Sequence, residues 1–301
     1  MDGFRIPLGE WAEVAVAAIR DNLSWLLRGI SEAVGWLVGS LADLLLNAPI
    51  VLVIIVAALL GWALRSWKFA LGTAISFAVI LGVGQWVTAM QTLALVLIAT
   101  VIAVVVAVPL GILAARSDRF SAILKPVLDL MQAMPGFVYL IPAIVFFSIG
   151  FVPGLVATVI FALPPGVRLT ELGIRGVDAE TVEAGHAFGA TPGQILRGVQ
   201  LPLAMPTIMT GVNQVIMLAL SMAVIAGIAG APGLGKEIVQ AMSTVNIGTG
   251  VEAGLSVVIL AIYLDRLTSA LGDLRGQRSS LLGLVGRRRA AATRRALVPA
   301  A

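Results

Sequence analysis

The feature that most constrains this chain is a succession of long apolar runs that carry ionisable residues only at or beyond their ends. Seven candidate segments lie near residues 48–64, 69–86, 90–115, 127–149, 152–167, 205–231 and 251–264. Of 301 residues, 59% are hydrophobic and only 12% charged, whereas a soluble domain carries about 25% charged residues. One soluble core cannot hold so much apolar material, so lipid is the solvent for much of it. At 1.5 Å of rise per residue, about 20 residues cross the hydrocarbon, and the shortest runs need their flanks to complete a crossing. Pro109, Pro142 and Pro164 fall inside spans, which helices tolerate when neighbours satisfy the freed carbonyls. The expected fold class is all-α, a polytopic membrane protein with about seven transmembrane helices.

Residues 1–47 differ in character. Leu26, Leu27, Ile30, Val34, Leu37, Val38, Leu41, Leu44 and Leu45 recur at helical spacing, while Arg28, Glu32 and Asp43 interrupt the stretch. One apolar face with charges elsewhere predicts an amphipathic helix lying along the membrane interface. The start lacks the basic residues and continuous apolar run of a secretory signal, so insertion is expected to rely on later spans.

Loop charges set the orientation. With the loop 168–205 placed in the cytoplasm, strict alternation brings inside Arg65, Lys68, Arg116, Arg119, Lys125, Arg168, Arg175, Arg197 and every basic residue from Arg266 onward. Of the 20 basic residues, only Arg5, Arg20, Arg28 and Lys236 fall elsewhere. The positive-inside rule then puts the N-terminus outside and the C-terminus in the cytoplasm. Trp62, Trp67 and Trp86 sit near span ends, as an aromatic belt requires. Basic residues that flank apolar runs, rather than cluster on a soluble module, give no reason to expect nucleic acid as a partner.

The interiors of the spans are equally informative. Ionisable residues inside a membrane are costly and mark proton relays or ion paths. Asp129, Glu252 and Asp265 occupy terminal turns and read as interface or cap residues. A proton-coupled carrier has no relay here, and an intramembrane enzyme has no charged or nucleophilic pair at matching depths. A sodium-coupled carrier can use backbone and hydroxyl ligands, so it stays open on the residues alone. With no Cys and the single His186, neither disulfides nor a thiolate- or His-ligated metal centre is expected.

The most informative loop runs from Glu171 to Pro206. Asp178 can cap a short helix whose early turns carry Glu180 and Glu183, both favourable near a helix N-terminus. Gly189 can end it with positive φ. Thr191-Pro192-Gly193-Gln194 then fits a capping box with Pro at the first helical position. The second helix is expected to end near Gln200, because Leu201 precedes Pro202 and is pushed out of the α region. Two short helices bent at a glycine make an elbow suited to a partner's groove.

Elsewhere, the segment from Gly230 to Glu237 nearly spells a phosphate-binding loop but puts Glu237 where the metal-ligating hydroxyl belongs. It follows a membrane helix rather than a strand, and reads as a flexible turn near an external gate. Asn213 and Gln214, early in the sixth span, with Met217 and Ser221 below them, are candidate pathway-lining residues. For Asn213 and Gln214, interhelical hydrogen bonding is the competing role.

The elbow resembles the signature loop of bacterial ABC importer permeases, which runs Glu-Ala-Ala, three residues, Gly, nine residues, Ile, one residue, Leu-Pro. Here the matching residues are Glu183, Ala184, Gly185, Gly189, Val199, Leu201 and Pro202, with Gly185 and Val199 departing conservatively. The strings 128–147, 200–227 and 258–268 are similar to the permease of glycine betaine/proline betaine importers, over roughly residues 1–272. That resemblance implies a permease subunit without enzyme activity and a pathway formed by two permease copies. It also implies two ABC ATPase subunits carrying ATP and Mg, and an extracytoplasmic substrate-binding protein. Asp178, Glu180, Glu183, Ala184, Gly185, His186, Gly189, Leu201 and Pro202 would couple the chain to the ATPase. Choline or an amino acid is the alternative solute. The expected organisation is an interfacial region 1–47, two helices in 48–87, a permease core 88–272 with its coupling loop 168–205, and a basic cytoplasmic tail 273–301.

Overall fold

The computed structural model describes residues 7–272, and all regular structure among them is helical. The expected basic tail, with Arg275 to Arg295, lies outside the described residues, as does Arg5. The helices are α1 (Leu8–Asn22), α2 (Ser24–Asn47), α3 (Ile50–Leu64), α4 (Trp67–Gly82), α5 (Trp86–Arg116), α6 (Asp118–Ala133) and α7 (Leu140–Phe147). They continue as α8 (Phe151–Arg175), α9 (Ala179–Ala187), α10 (Pro192–Ile195), α11 (Leu201–Ile225), α12 (Leu234–Ser243) and α13 (Ile247–Gly272).

Helices α5, α8 and α11 form the centre, and small residues set where they touch. A Cβ on Gly111 of α5 would lie 2.5 Å from Thr170 Cβ and 2.7 Å from the Val167 carbonyl oxygen of α8. Gly166 of α8 faces Ala107 and Val215, and Gly173 faces Thr207 and Ala204. Gly211 of α11 packs on Leu169. In lipid no hydrophobic force drives helices together, so close backbone approach must supply the van der Waals gain. Gly35 and Gly39 of α2 make no such approach: Gly35 looks onto Val152 at 3.8 Å, and nothing lies near Gly39.

Five helical stretches are long and apolar enough to cross a membrane, or six if a bent pair counts as one. They are Ser24–Asn47, Trp86–Arg116, Phe151–Arg175, Pro192–Ala229 and Ile247–Gly272. The expected span 127–149 is instead that bent pair, broken by 105° between Ala133 and Gly136. Met134 precedes Pro135 and is extended (ψ 131°), the conformation a following proline imposes. Helices α3 and α4, with 15 and 16 residues, are shorter than a full crossing. Helix α2 meets the length and composition for crossing, yet its contacts are confined. Ser24 to Ser31 face Phe146 to Ser148, Gly35 faces Val152, and Leu44 to Ala48 face Leu93 and Leu97. Those neighbours belong to the end of α7, the start of α8 and the early turns of α5.

The two ends of the molecule are chemically distinct. Arg65 donates to the Arg266 carbonyl (3.4 Å), and Gly272 lies against Met209. The C-termini of α5, α8 and α13 thus gather with the start of α11, and with them Arg65, Arg116, Arg175, Arg197 and Arg266. At the opposite end, Leu234 N donates to Thr92 Oγ1 (2.8 Å), and a Cβ on Gly235 would meet the Val224 carbonyl oxygen at 2.5 Å. The segment read as a flexible turn is therefore packed: Ala231, Gly233, Leu234 and Gly235 are buried against α5 and α11. Gly230 and Gly233 do turn the chain (φ 73° and 126°), and Gly235 is the contact point that admits a neighbouring backbone.

Candidate functional site

Asp178 extends (φ −50°, ψ 127°) and accepts a hydrogen bond from Thr181 N at 3.0 Å, starting α9 as the sequence predicts. The helix stops where Gly189 takes φ +78°, with Gly189 N donating to the His186 carbonyl and Ala190 N to that of Gly185. Thr191 and Gln194 complete the capping box: Thr191 N donates to Gln194 Oε1 (2.8 Å) and Gln194 N to Thr191 Oγ1 (3.4 Å). Each bond satisfies a donor that a helix start leaves orphaned.

The second helix does not end at Gln200. Leu201 keeps α geometry (φ −61°, ψ −45°), and Leu201 N donates to the Leu196 carbonyl across a π-helical stretch, Leu196–Gln200. Leu201 thus holds the α conformation that a following proline disfavours, and the helix runs on through Pro202. One helical unit, Pro192–Ala229, therefore joins the elbow to the centre of the bundle without interruption.

The faces of α9 are sharply divided. Val182 and Gly185 turn inward, and a Cβ on Gly185 would come within 3.3 Å of Ile195, which is buried. Glu180, Glu183, Ala184 and His186 point outward and are exposed, as are Asp178, Gly189 and Pro202, while Leu201 is half-buried. Phe188, which sequence reasoning passed over, is 91% exposed at the tip. Beside this acidic ridge lies a cleft of about 560 Å³ lined by Arg116, Thr191, Gln194 and Arg197. The elbow offers an acidic ridge, an aromatic tip and a basic cleft in a fixed arrangement.

An ion network behind the elbow was not foreseen. Arg175, at the end of α8, pairs with Asp118 (2.7 Å) and Glu171 (3.0 Å) and donates to the Ala114 carbonyl (2.8 Å). It therefore joins the C-terminus of α5, the N-terminus of α6 and its own helix. Glu171, only 7% exposed, also accepts from Ser121 Oγ (2.7 Å) and lies 3.9 Å from Lys125. Further along, Arg168 pairs with Asp129. Asp129 is thus a tie between α6 and α8 rather than a simple interface residue. The spacing of Glu171 and Arg175, one helical turn apart, was the available signal; their partners on α6 come from the tertiary fold.

The candidate lining residues separate. Asn213 Nδ2 donates to Asp265 Oδ1 (2.9 Å), and Asn213 Oδ1 accepts from Thr268 (2.7 Å), tying α11 to α13. Gln214, Met217 and Ser221, with Thr210, form an exposed stripe on the other side of α11. Thr210 and Ser221 satisfy their hydroxyls on the carbonyls of Pro206 and Met217. No cluster of His, Cys, Asp or Glu that could hold a metal occurs among the described residues.

Known proteins carry the same pattern. The family described as "Binding-protein-dependent transport system inner membrane component" matches residues 107–278. The glycine betaine transport system permease protein OpuAB of Bacillus subtilis is 48% identical over 264 residues, covering 88% of this chain and 94% of that protein. The glycine betaine/proline betaine transport system permease protein ProW of Escherichia coli is 46% identical, covering 89% of this chain and 75% of that one. A chain of the MetNI methionine ABC transporter, solved in inward-facing conformations, shares the fold at TM-score 0.56 and 23% identity, covering 61% of this chain and 92% of its own.

Proposed function

Because the chain belongs to the family of binding-protein-dependent transport system inner membrane components, we propose that it is the permease subunit of an ATP-driven importer for glycine betaine, proline betaine or a related quaternary ammonium solute. Permeases for these solutes are similar to it along most of its length. Family membership also displaces the sodium-coupled carrier that the residues alone left open. The chain supplies the path, and separate ATPase subunits supply the energy from ATP and Mg. A second copy completes the path, and an extracytoplasmic binding protein delivers solute.

The observation that carries the coupling role is the pre-ordered elbow. Helix α9 presents Glu180, Glu183 and Phe188 outward at the end where the basic residues gather, so the positive-inside rule places it in the cytoplasm. Movement of α9 reaches the bundle by two routes. One is Gly185 on Ile195 and the helix beginning at Pro192; the other is Arg175 and its ties to α5 and α6. Coupling then requires two packings of these helices, each favoured by one nucleotide state of the ATPase. The positive-inside rule also puts the N-terminus outside, and the contacts of α2 with the end of α7 and the start of α8 support a course along the extracytoplasmic interface. The stripe of Thr210, Gln214, Met217 and Ser221 faces the path, since a polar stripe serves poorly against lipid.

The test is reconstitution of the whole transporter with Glu183→Arg or Gly189→Pro. Proline cannot adopt φ +78°, so the second variant deforms the elbow at its corner. Both are expected to insert normally and lose solute-stimulated ATP hydrolysis. Full stimulation in both variants would remove the coupling role.

A further inference from the structure

Between the N-terminal helices and the core runs a groove of about 360 Å³ with an almost wholly apolar lining. Its floor is buried: Val53, Ala57, Phe77 and Leu264 are each no more than 8% exposed. Its walls are open, with Leu52 and Leu60 of α3 about half exposed. The hairpin of α3 and α4 is joined to α13 largely through Tyr263, which stacks near Phe69, meets Phe77 edge-on and donates to the Ala57 carbonyl. An apolar lining of this size, with a buried floor and a wall open to lipid, suits an apolar chain rather than water.

One end of the groove identifies the occupant. Leu60 and Leu267 line it there, and the next turn of α3 brings Arg65, bonded to the Arg266 backbone. Lys68 follows, its ammonium 6.0 Å from the Trp67 ring centroid, with Trp67 56% exposed. Arginine, lysine and an exposed tryptophan at a span end are the groups that hold a phosphate-bearing headgroup at the membrane surface. We propose that the groove binds a membrane phospholipid, with an acyl chain along Val53, Ala57 and Leu264 and its phosphate at Arg65, Lys68 and Arg266. An acyl chain leaving bulk lipid gains no hydrophobic energy. Selectivity for this site therefore comes from the headgroup and from packing against a fixed floor. The lipid completes the thin joint between the hairpin and the core.

The proposal rests on membrane embedding rather than on the transported solute, and its readout is bound lipid rather than transport. The full chain is reconstituted in vesicles containing a phosphatidylglycerol with a photoactivatable diazirine in one acyl chain. Crosslinks are expected to concentrate on Leu52, Val56 and Leu264, several-fold above the exposed Val101 and Val105 of α5. Val56→Trp, which fills the groove from its open wall, should abolish that enrichment. The triple variant Arg65→Gln, Lys68→Gln, Arg266→Gln should reduce phospholipid retained through detergent purification at least several-fold. Equal labelling of the α5 face, or unchanged enrichment and retention in the variants, would overturn the proposal. Full solute-stimulated ATP hydrolysis in both elbow variants, with the lipid retained, would count against the proposed function and leave this site standing.

Discussion

The middle of the bundle and its basic end are built on opposite principles. Where α5, α8 and α11 cross, contacts are between glycines, alanines and backbone, and the charged residues stand outside. At the basic end α5, α6 and α8 are tied by Arg175, Glu171, Asp118 and Lys125, with long side chains and partial solvent access. Close backbone packing has one acceptable geometry and tolerates little displacement. Ion pairs of flexible side chains keep their partners over a range of positions. The bundle is therefore suited to move as a rigid lever and the basic end to act as its adjustable mount.

The largest expected effect comes from disturbing the lever. Gly227→Ala would drive a Cβ into the backbone of Gly235, and Gly111→Leu would force apart α5 and α8. Each should cost about 3 kcal/mol or more, read as a large fall in thermal stability in detergent and loss of all transport. If Gly111→Leu melts like the wild type, the distinction between rigid centre and compliant end is lost.

A smaller effect is expected at the mount. Arg175→Ala leaves the buried Glu171 with Ser121 and a distant Lys125, at a cost of about 1–3 kcal/mol, softened by solvent around the half-exposed guanidinium. Coupling efficiency, measured as solute moved per ATP hydrolysed, should fall more than stability does. Arg175→Lys keeps the charge but not the three-way fork, and should recover stability without restoring coupling. Equal losses of coupling and stability in both variants would make the network merely structural.

Two finer tests separate local roles. Asp178→Ala removes the cap on α9, worth about 1 kcal/mol, and should raise amide exchange in 179–187 without altering exchange in α8. Asn213→Leu removes the ties to Asp265 and Thr268, worth roughly 0.6 kcal/mol per interhelical bond. A slight loss of stability with unchanged apparent affinity for solute is expected, whereas Gln214→Leu should weaken that affinity.

Much of this was legible in the residues because each signal was local. Asp178, Gly189, Thr191 and Gln194 act within four residues of themselves, and the structure places each cap and corner as their chemistry requires. Helix continuity at Leu201 was not legible, since the proline rule is a local bias and the fold holds Leu201 in the α conformation against it. The break between Ala133 and Gly136 carried a signal in Met134-Pro135-Gly136, outweighed by the apolar run around it. In the Gly230–Gly235 segment the turn was legible, since Gly230 and Gly233 take φ of 73° and 126°, but its packing was not, because a sequence cannot distinguish a glycine that only bends from one that also admits a neighbour. The partners of Arg168 and Arg175 on α6 depend on how three helices meet, which no local rule encodes.

The central claim is that α9 seats on an ATPase subunit. The chain has no cysteine of its own, so Phe188→Cys in the assembled transporter gives one defined thiol at the exposed tip. A crosslink to the ATPase, whose yield changes between nucleotide-free and ATP-bound states, is the predicted result. Labelling of that thiol by a membrane-impermeant reagent from outside intact cells, with no crosslink to the ATPase, would contradict it.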